Sequence, residues 1–351
     1  MKENEIGLLC VGNAIVDVFA RDETGLALRY GLCEPVQHVE IEKLKTILSE
    51  LGEITVVSGG GAANAAKIAG LLGAKASFSG AIGDDRFGQL FREDLNSAGV
   101  ETILVEKRPP TGICLVLQTR DGTRIAASPS AAMEFSEDDI SEDEVRKSKV
   151  VVIDGFMLGR RGLVRRLLAL AGRHGAAVAI DLGSAAIATE EAAEIASYVA
   201  SVDASSGDTS HNMRRHQFFL FMNEDEAVSF HGALDSPASA FEQTLEFFKS
   251  LTEEKPFLVI VVKLGRRGAV CFTEGDCFHA GTETVKPLET TGSGDAFCGA
   301  FLTAWVRGKR LNECTALGNK AARIVLNCVG AKVEKSAFKD LASLLEGSAC
   351  A

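Results

Sequence analysis

Apolar residues fall in short runs, most of them closed by a turn residue and followed by a stretch with helical spacing. Ile6–Val11 is such a run, ended by Gly12 and Asn13, and Ile54–Val57 repeats the pattern ahead of Gly59-Gly60-Gly61. Ala62–Leu72 reads as a small-residue helix stopped near Gly73. Asp84–Ala98 places Phe87, Leu90, Phe91 and Leu95 on one helical face before Gly99. Val150–Ile153, Ala177–Ile180, Phe218–Met222 and Leu258–Val262 have the continuous apolar character of parallel strands covered on both faces. Leu163–Ala171 and Phe241–Leu251 read as intervening helices. The alternation predicts an α/β protein with a doubly wound sheet.

One segment breaks the rhythm. Thr111–Ser128 reads as two strands joined by a turn at Asp121-Gly122, with no crossover helix. A hairpin inserted in an α/β domain serves as a lid or as a subunit contact. Ser201–Gln217 is polar and poor in large apolar residues, so it is expected as a surface loop. The tail from residue 346 to 351 is expected to fray. No internal repeat or low-complexity tract is evident.

The composition of the 351 residues is that of a soluble globular protein, 46% apolar and 24% charged, long enough for two ordinary domains or one large α/β domain. Asp and Glu outnumber Lys and Arg, 48 to 37, for a net charge of −11. That balance argues against a nucleic-acid partner, because phosphate backbones are held by Lys and Arg. One small anion can still be held by backbone amides. Nine cysteines, an odd number without a C-x-x-C pair, mostly in apolar runs, read as reduced buried thiols in a cytoplasmic protein. The six histidines are isolated, which argues against zinc. The N-terminus lacks the pattern of a signal peptide, and no run of about 18 apolar residues is available to cross a membrane.

The strongest local signal is Glu289–Phe301. Gly292 and Gly294 flank Ser293, Asp295 follows, and a helix is expected from about Asp295 to Val306. A glycine-rich turn opening a helix aims several N–H groups at one point, and with the helix dipole they hold an oxyanion. A carboxylate beside such a nest is the arrangement phosphoryl transfer to a hydroxyl requires. The bland alternative, an Asp near a helix start among turn glycines, has about even odds on these residues alone. Other nucleotide motifs fail: Gly308-Lys309 is followed by Arg310, and Gly59-Gly60-Gly61-Ala62-Ala63-Asn64 lacks the third glycine of a dinucleotide fingerprint.

Two separated signatures resemble those of the ribokinase-like (PfkB-type) carbohydrate and nucleoside kinases. The first runs from Gly59-Gly60-Gly61-Ala62-Ala63-Asn64 through Gly80-Ala81-Ile82-Gly83-Asp84-Asp85 to Ala98-Gly99-Val100. The second is Thr290-Thr291-Gly292-Ser293-Gly294-Asp295-Ala296-Phe297. Between them lie Asn223-Glu224-Asp225-Glu226, like the family's N-x-x-E, and Lys263-Leu264-Gly265 with Gly268. The resemblance implies that Asp295 is the base and that the amides of Gly292, Ser293 and Gly294 form the anion hole. It implies that Asn223 and Glu226 position Mg²⁺ and its waters, and that Lys263, Thr290, Gly265, Gly268 and Asn319 belong to the ATP site. Asp17, Gly60 and Asn64 would hold substrate hydroxyls. A monovalent cation such as K⁺ near the second signature is a further family trait.

The implied fold is a three-layer α/β/α domain over residues 1–345 with a central, mostly parallel sheet and a small β-lid from about 16–41 and 111–128. The implied activity is ATP- and Mg²⁺-dependent phosphorylation of a primary hydroxyl. The lid strands Cys114–Gln118 and Arg124–Ala127 contain no aromatic residue, which favours a sugar over a nucleoside. An adenosine-like nucleoside kinase and a catalytically silent binding homologue are the alternatives. Glu289 departs from the family's usual Asp. The apolar run Cys114–Gln118, with no helix beside it in sequence, predicts a homodimer through the lid.

Overall fold

The computed structural model describes residues 6–205, 217–234, 241–288, 290–328 and 333–346. Its strands are β1 (Ile6–Val11), β2 (Ile15–Arg21), β3 (Val36–His38), β4 (Ile54–Gly59), β5 (Ala76–Gly83), β6 (Val100–Lys107), β7 (Thr111–Thr119) and β8 (Gly122–Ser130). The chain continues with β9 (Ser148–Asp154), β10 (Ala177–Asp181), β11 (Phe218–Asn223), β12 (Leu258–Lys263), β13 (Ala269–Thr273) and β14 (Asp276–Ala280). Nine of them form one sheet in the order β14-β13-β12-β11-β10-β9-β1-β5-β6. It is parallel from β12 to β6 and antiparallel only at β12–β13–β14.

The apolar runs explain why helices cover both faces. Along β1, Leu8 and Cys10 enter one core and Leu9 and Val11 the other, all nearly inaccessible to water. The first core is closed by the helices Gly61–Leu71, Ser293–Val306 and Leu311–Val325. The second is closed by Arg161–His174, Ala192–Ser205, Glu224–Leu234 and Phe241–Glu254. This is the ribokinase-like α/β architecture. Aromatic contacts pin Ser293–Val306 to the sheet: Phe219 meets Trp305 edge-on at 5.1 Å and Phe221 meets Phe301 at 5.2 Å. Pairs of this kind contribute about 0.5–1.5 kcal/mol beyond the area they bury.

Chain order reverses at β1, which lies between β9 and β5. Ligands of open α/β sheets lie at such a reversal, outside the carboxyl ends of the strands. There β9 ends in Asp154, β10 in Asp181, β11 in Asn223 and β12 in Lys263, with Asp154 beside Asp181 and Asn223 beside Lys263 in register.

The remaining strands form a smaller sheet, β3-β8-β7-β2-β4. It contains strands from the two segments expected as a lid and also takes β4, which the sequence pattern placed with the buried strands. Strand β6, at the edge of the main sheet, was not anticipated. The expectation that Cys114–Gln118 lacks a covering helix is also corrected. The helix Ile41–Glu50 packs on β7 and β8, burying Leu44 and Ile47, and Leu115 and Leu117 are fully buried. The helix is distant in sequence, so local pattern did not reveal it.

Residues 201–205 of the expected loop close a helix, whereas 206–216, Glu289 and the tail from 347 lie outside the described residues. Among the described cysteines, Cys10, Cys271, Cys298 and Cys314 are buried, but Cys33 and Cys277 are exposed.

Because the cover is intramolecular, Ile47→Ala should cost about 2–5 kcal/mol, the range for truncating a fully buried Ile, read by chemical denaturation. Leu115→Glu should abolish folding of the smaller sheet instead of yielding a folded monomer, checked by circular dichroism alongside sedimentation.

Candidate active site

The helix Ser293–Val306 begins two residues earlier than its pattern predicts, because Gly292 adopts a left-handed conformation (φ 78°) as the N-cap. This conformation favours glycine. Ser293, Gly294 and Asp295 therefore form the first turn. The Ser293 amide turns inward to the Thr290 carbonyl at 3.3 Å, and its hydroxyl donates to the same oxygen at 2.8 Å. First-turn amides have no acceptor one turn back, and the Ala296 amide is the first to close on Gly292. Of the expected Gly292-Ser293-Gly294 set, the Ser293 amide is engaged within the turn, while the Gly294 amide and the neighbouring Asp295 amide lie in the first turn of the helix.

Asp295 is joined to the first signature. The Asn64 amide donates to Asp295 Oδ2 at 2.9 Å, while Asn64 Oδ1 is buried without a protein partner. An orphaned buried oxygen is costly and suits a ligand hydroxyl. Gly60 (φ 95°) lies so close to Asn13 that a Cβ would come within 2.3 Å of its carbonyl oxygen, and a Cβ on Gly59 would strike the Asp17 carboxyl. These two glycines let the turn pass between Asn13 and Asp17, and Asp17 is buried on β2 at the root of the smaller sheet. Asp295, Asp154, Asp181, Gly61, Phe156 and Cys298 line a cavity of about 220 Å³.

Carboxyls outnumber the ammonium in this crevice. Lys263 donates to both oxygens of Asp181, at 2.8 and 2.9 Å, directly beneath Gly294, where a Cβ would lie 3.2 Å from its ammonium. Burial would depress Lys263, but Asp181 and Glu226 outweigh it and push it up to about 12. Burial, reinforced by Asp181 and Asp154, pushes Asp295 up to about 7 against the opposing pull of Asn64 and Lys263. Burial likewise raises Asp154 to about 6. A carboxyl near 7 is matched to general-base work at neutral pH.

The Asn223–Glu226 motif forms a reciprocal helix cap. Asn223 donates its amide and its side chain to the two Glu226 oxygens, at 2.8 and 2.7 Å, and the Glu226 amide donates back at 2.9 Å. Both carboxylate oxygens are therefore engaged, and a direct Glu226–Mg²⁺ bond would compete with the cap. Mg²⁺ readily keeps waters and phosphate ligands, so the pair fits a water-mediated role. Gly265 and Gly268 bracket a turn after β12, and a Cβ on Gly268 would lie 2.0 Å from the Ala280 carbonyl oxygen. Asn319 donates to that same carbonyl at 2.8 Å and to the Gly281 carbonyl at 3.4 Å. Thr290 is exposed.

Sequence reasoning did not single out Asp181, and it read the Asp154-Gly155-Phe156 run only as resembling the adenosine-kinase side of the family, with no role for either side chain. The signal was available in their position: both carboxylates end parallel strands.

The sequence profile described as "pfkB family carbohydrate kinase" matches residues 27–336. The chain belongs to this family. An adenosine kinase of Schizophyllum commune is 26% identical over 92% of this chain and 95% of the relative. A 5-dehydro-2-deoxygluconokinase of Halalkalibacterium halodurans is also 26% identical, over 82% of this chain and 85% of the relative. The adenosine kinase structure from Sinorhizobium meliloti superposes with a TM-score of 0.80 at 24% identity, covering 98% of this chain and all of that one. A probable sugar kinase from Rhizobium etli gives the same score and identity over 97% and 99%. As a PfkB kinase the protein is a phosphotransferase acting on a hydroxyl of a sugar or nucleoside.

The raised Asp295 carboxyl has two measurable consequences. If it is the base, kcat/KM should fall about tenfold per pH unit below about pH 7, because the protonated form cannot accept the substrate proton. An unfolded Asp ionises near 3.9, so the folded state holds an extra proton between that value and about 7, and stability is lost as pH rises through this window. Asp295→Asn should therefore raise Tm relative to the parent at pH 8 and change it little at pH 4, measured by calorimetry.

Proposed function

We propose that this kinase transfers the γ-phosphoryl group of ATP, bound with Mg²⁺, to a primary hydroxyl of a sugar or sugar-like molecule, with Asp295 as the general base. The Asn64–Asp295 pair at the start of the helix Ser293–Val306 carries this reading. It joins a carboxyl of near-neutral pKa that lines the cavity to the first turn of a helix and to a side chain with an unsatisfied acceptor. Asp295 takes the acceptor proton as the hydroxyl oxygen forms its bond to the γ-phosphorus. The bond from that phosphorus to the bridging oxygen breaks, and ADP leaves. The amides of Gly294 and Asp295, backed by Lys263, offset charge on the transferring group. Asp17 and Asn64 Oδ1 hold the acceptor's hydroxyls. Gly265, Gly268, Thr290 and the wall secured by Asn319 form the nucleotide side. Mg²⁺ bound through water to Glu226 would neutralise phosphate charge.

A nucleoside acceptor is the second reading, and Phe156 favours it. Its ring is 54% exposed and borders the cavity that holds Asp295, which supplies the aromatic face missing from the lid strands. The homodimer proposal now rests on the face of the smaller sheet that carries Asp17, where Phe19 and Ile125 are half-buried and Val36 is 66% exposed. No described helix is long and apolar enough to cross a membrane, in keeping with the proposed cytoplasmic location.

ADP release should be measured over a panel of pentoses, hexoses, sugar acids and nucleosides, with and without K⁺. Turnover of at least one acceptor is expected, and Asp295→Asn should reduce it by about 10²–10⁴-fold while ATP still binds. Near-parental turnover in a folded Asp295→Asn protein would remove Asp295 from the mechanism. Phe156→Ala should selectively raise KM for a nucleoside and leave a simple sugar unaffected.

A further inference from the structure

Lys67 is a lysine in the middle of a helix otherwise built from small and apolar residues, and it is only 4% exposed. Burying an ammonium is costly unless it is paired and hydrogen-bonded. Here it donates to the Ser58 carbonyl at 2.9 Å and to Asp94 Oδ2 at 3.4 Å. The same Asp94 oxygen accepts the Ser58 amide at 3.0 Å and the Ser58 hydroxyl at 2.5 Å. Ser58 is thus gripped at its amide, hydroxyl and carbonyl by two helices of the main domain.

Ser58 lies on β4, the strand that pairs with β2. Val16 faces Ser58, Asp17 faces Val57, and Gly59 lies against the Asp17 carboxyl. A small shift of β4 would therefore displace the surroundings of Asp17 directly. Lys67 also shares its helix with Asn64, three residues earlier, whose side chain holds Asp295. One helix consequently ties the base at one point and the root of the smaller sheet at another. Asp17 and Asp295 both lie within electrostatic reach of the Lys67 ammonium. An aliphatic residue would fill the same core position, so burial alone does not account for a charge there.

We infer that Lys67, with Asp94, is a positioning residue that clamps Ser58 and sets Asp17 relative to Asp295 for binding of the phosphoryl acceptor. The inference rests on the kinase reading above, in which Asp17 binds the acceptor. Lys67 acts through β4 and touches neither nucleotide nor acceptor.

The test compares Lys67→Met, Lys67→Arg and Asp94→Asn in the full-length protein, using the best acceptor from the panel. Lys67→Met is expected to raise the acceptor KM at least tenfold and to leave the ATP KM within twofold. Lys67→Arg should restore most of that loss. Should Lys67→Met fail to fold, Asp94→Asn carries the test with an expected rise of about threefold in acceptor KM, because the ammonium keeps its bond to Ser58. Unchanged acceptor KM, or parallel rises in both KM values, would overturn the proposal.

Hydrogen exchange separates this idea from the kinase reading. In Lys67→Met or Asp94→Asn, amides of 54–59 and 15–21 should exchange faster, and those of the helix Ser293–Val306 should not change. Unaltered exchange at 54–59 refutes the clamp whether or not any acceptor is phosphorylated. Faster exchange in a protein that phosphorylates nothing supports the clamp and overturns the role assigned to it in acceptor binding.

Discussion

The hydrogen bond from Asn64 to Asp295 spans 231 positions of sequence, and the site is organised around it. A carboxyl that serves as a base at neutral pH must be held away from water, and water is what normally stabilises its charge. The fold supplies that setting where chain order reverses, between the small-residue helix after β4 and the helix after the glycine turn. Asp154 and Asp181 at neighbouring strand ends add their repulsion. Lys263 and the Asn64 amide oppose it. The result is a carboxyl poised between ionised and neutral, set by this balance and not by one contact.

Close approach of backbone makes the arrangement possible. Gly59 and Gly60 let the chain pass between Asp17 and the Asn13 carbonyl, and Gly268 lets the turn after β12 lie against the end of β14. Side chains at these points would push the smaller sheet and the nucleotide wall away from the main sheet. The aromatic stack of Phe219, Phe221, Phe301 and Trp305 works from the opposite side, fixing the helix whose first turn faces the cavity. Rigid packing behind this first turn would serve the proposed function by orienting donors before any charge arrives.

The buried polar groups fall into two kinds. Glu226 and Asn223 cap one another with three hydrogen bonds, and Lys67, Asp94 and Ser58 form a bonded network. Asn64 Oδ1 by contrast is buried and unsatisfied. A bonded set gives a fixed local geometry, whereas the unsatisfied acceptor beside Asp295, the proposed base, is open to a ligand hydroxyl.

The sequence by itself determined the fold class, because long apolar runs alternating with helical periodicity leave few ways to bury both faces of a sheet. It also pointed to Asp295 and the glycine turn through their spacing, and to Asn64 and Asp17 through their resemblance to the PfkB signatures. Contacts between segments far apart in sequence were settled only in three dimensions. Strand β4 has the same apolar character as a main-sheet strand, and only its pairing with β2 places it in the smaller sheet. The helix Ile41–Glu50 covers Leu115 and Leu117 from about 70 residues away, so no local pattern foretold it. Asp181 looks like an ordinary strand end in the sequence, and the Asp154-Gly155-Phe156 run resembles the adenosine-kinase side of the family without showing what it faces. Their meaning comes from parallel pairing, which brings the carboxyl ends of β9 and β10 to the edge of one crevice beside Asp295. Burial, and with it the pKa of each carboxyl, is a property of that shared crevice, so the chemistry of Asp295 was decided by the tertiary structure.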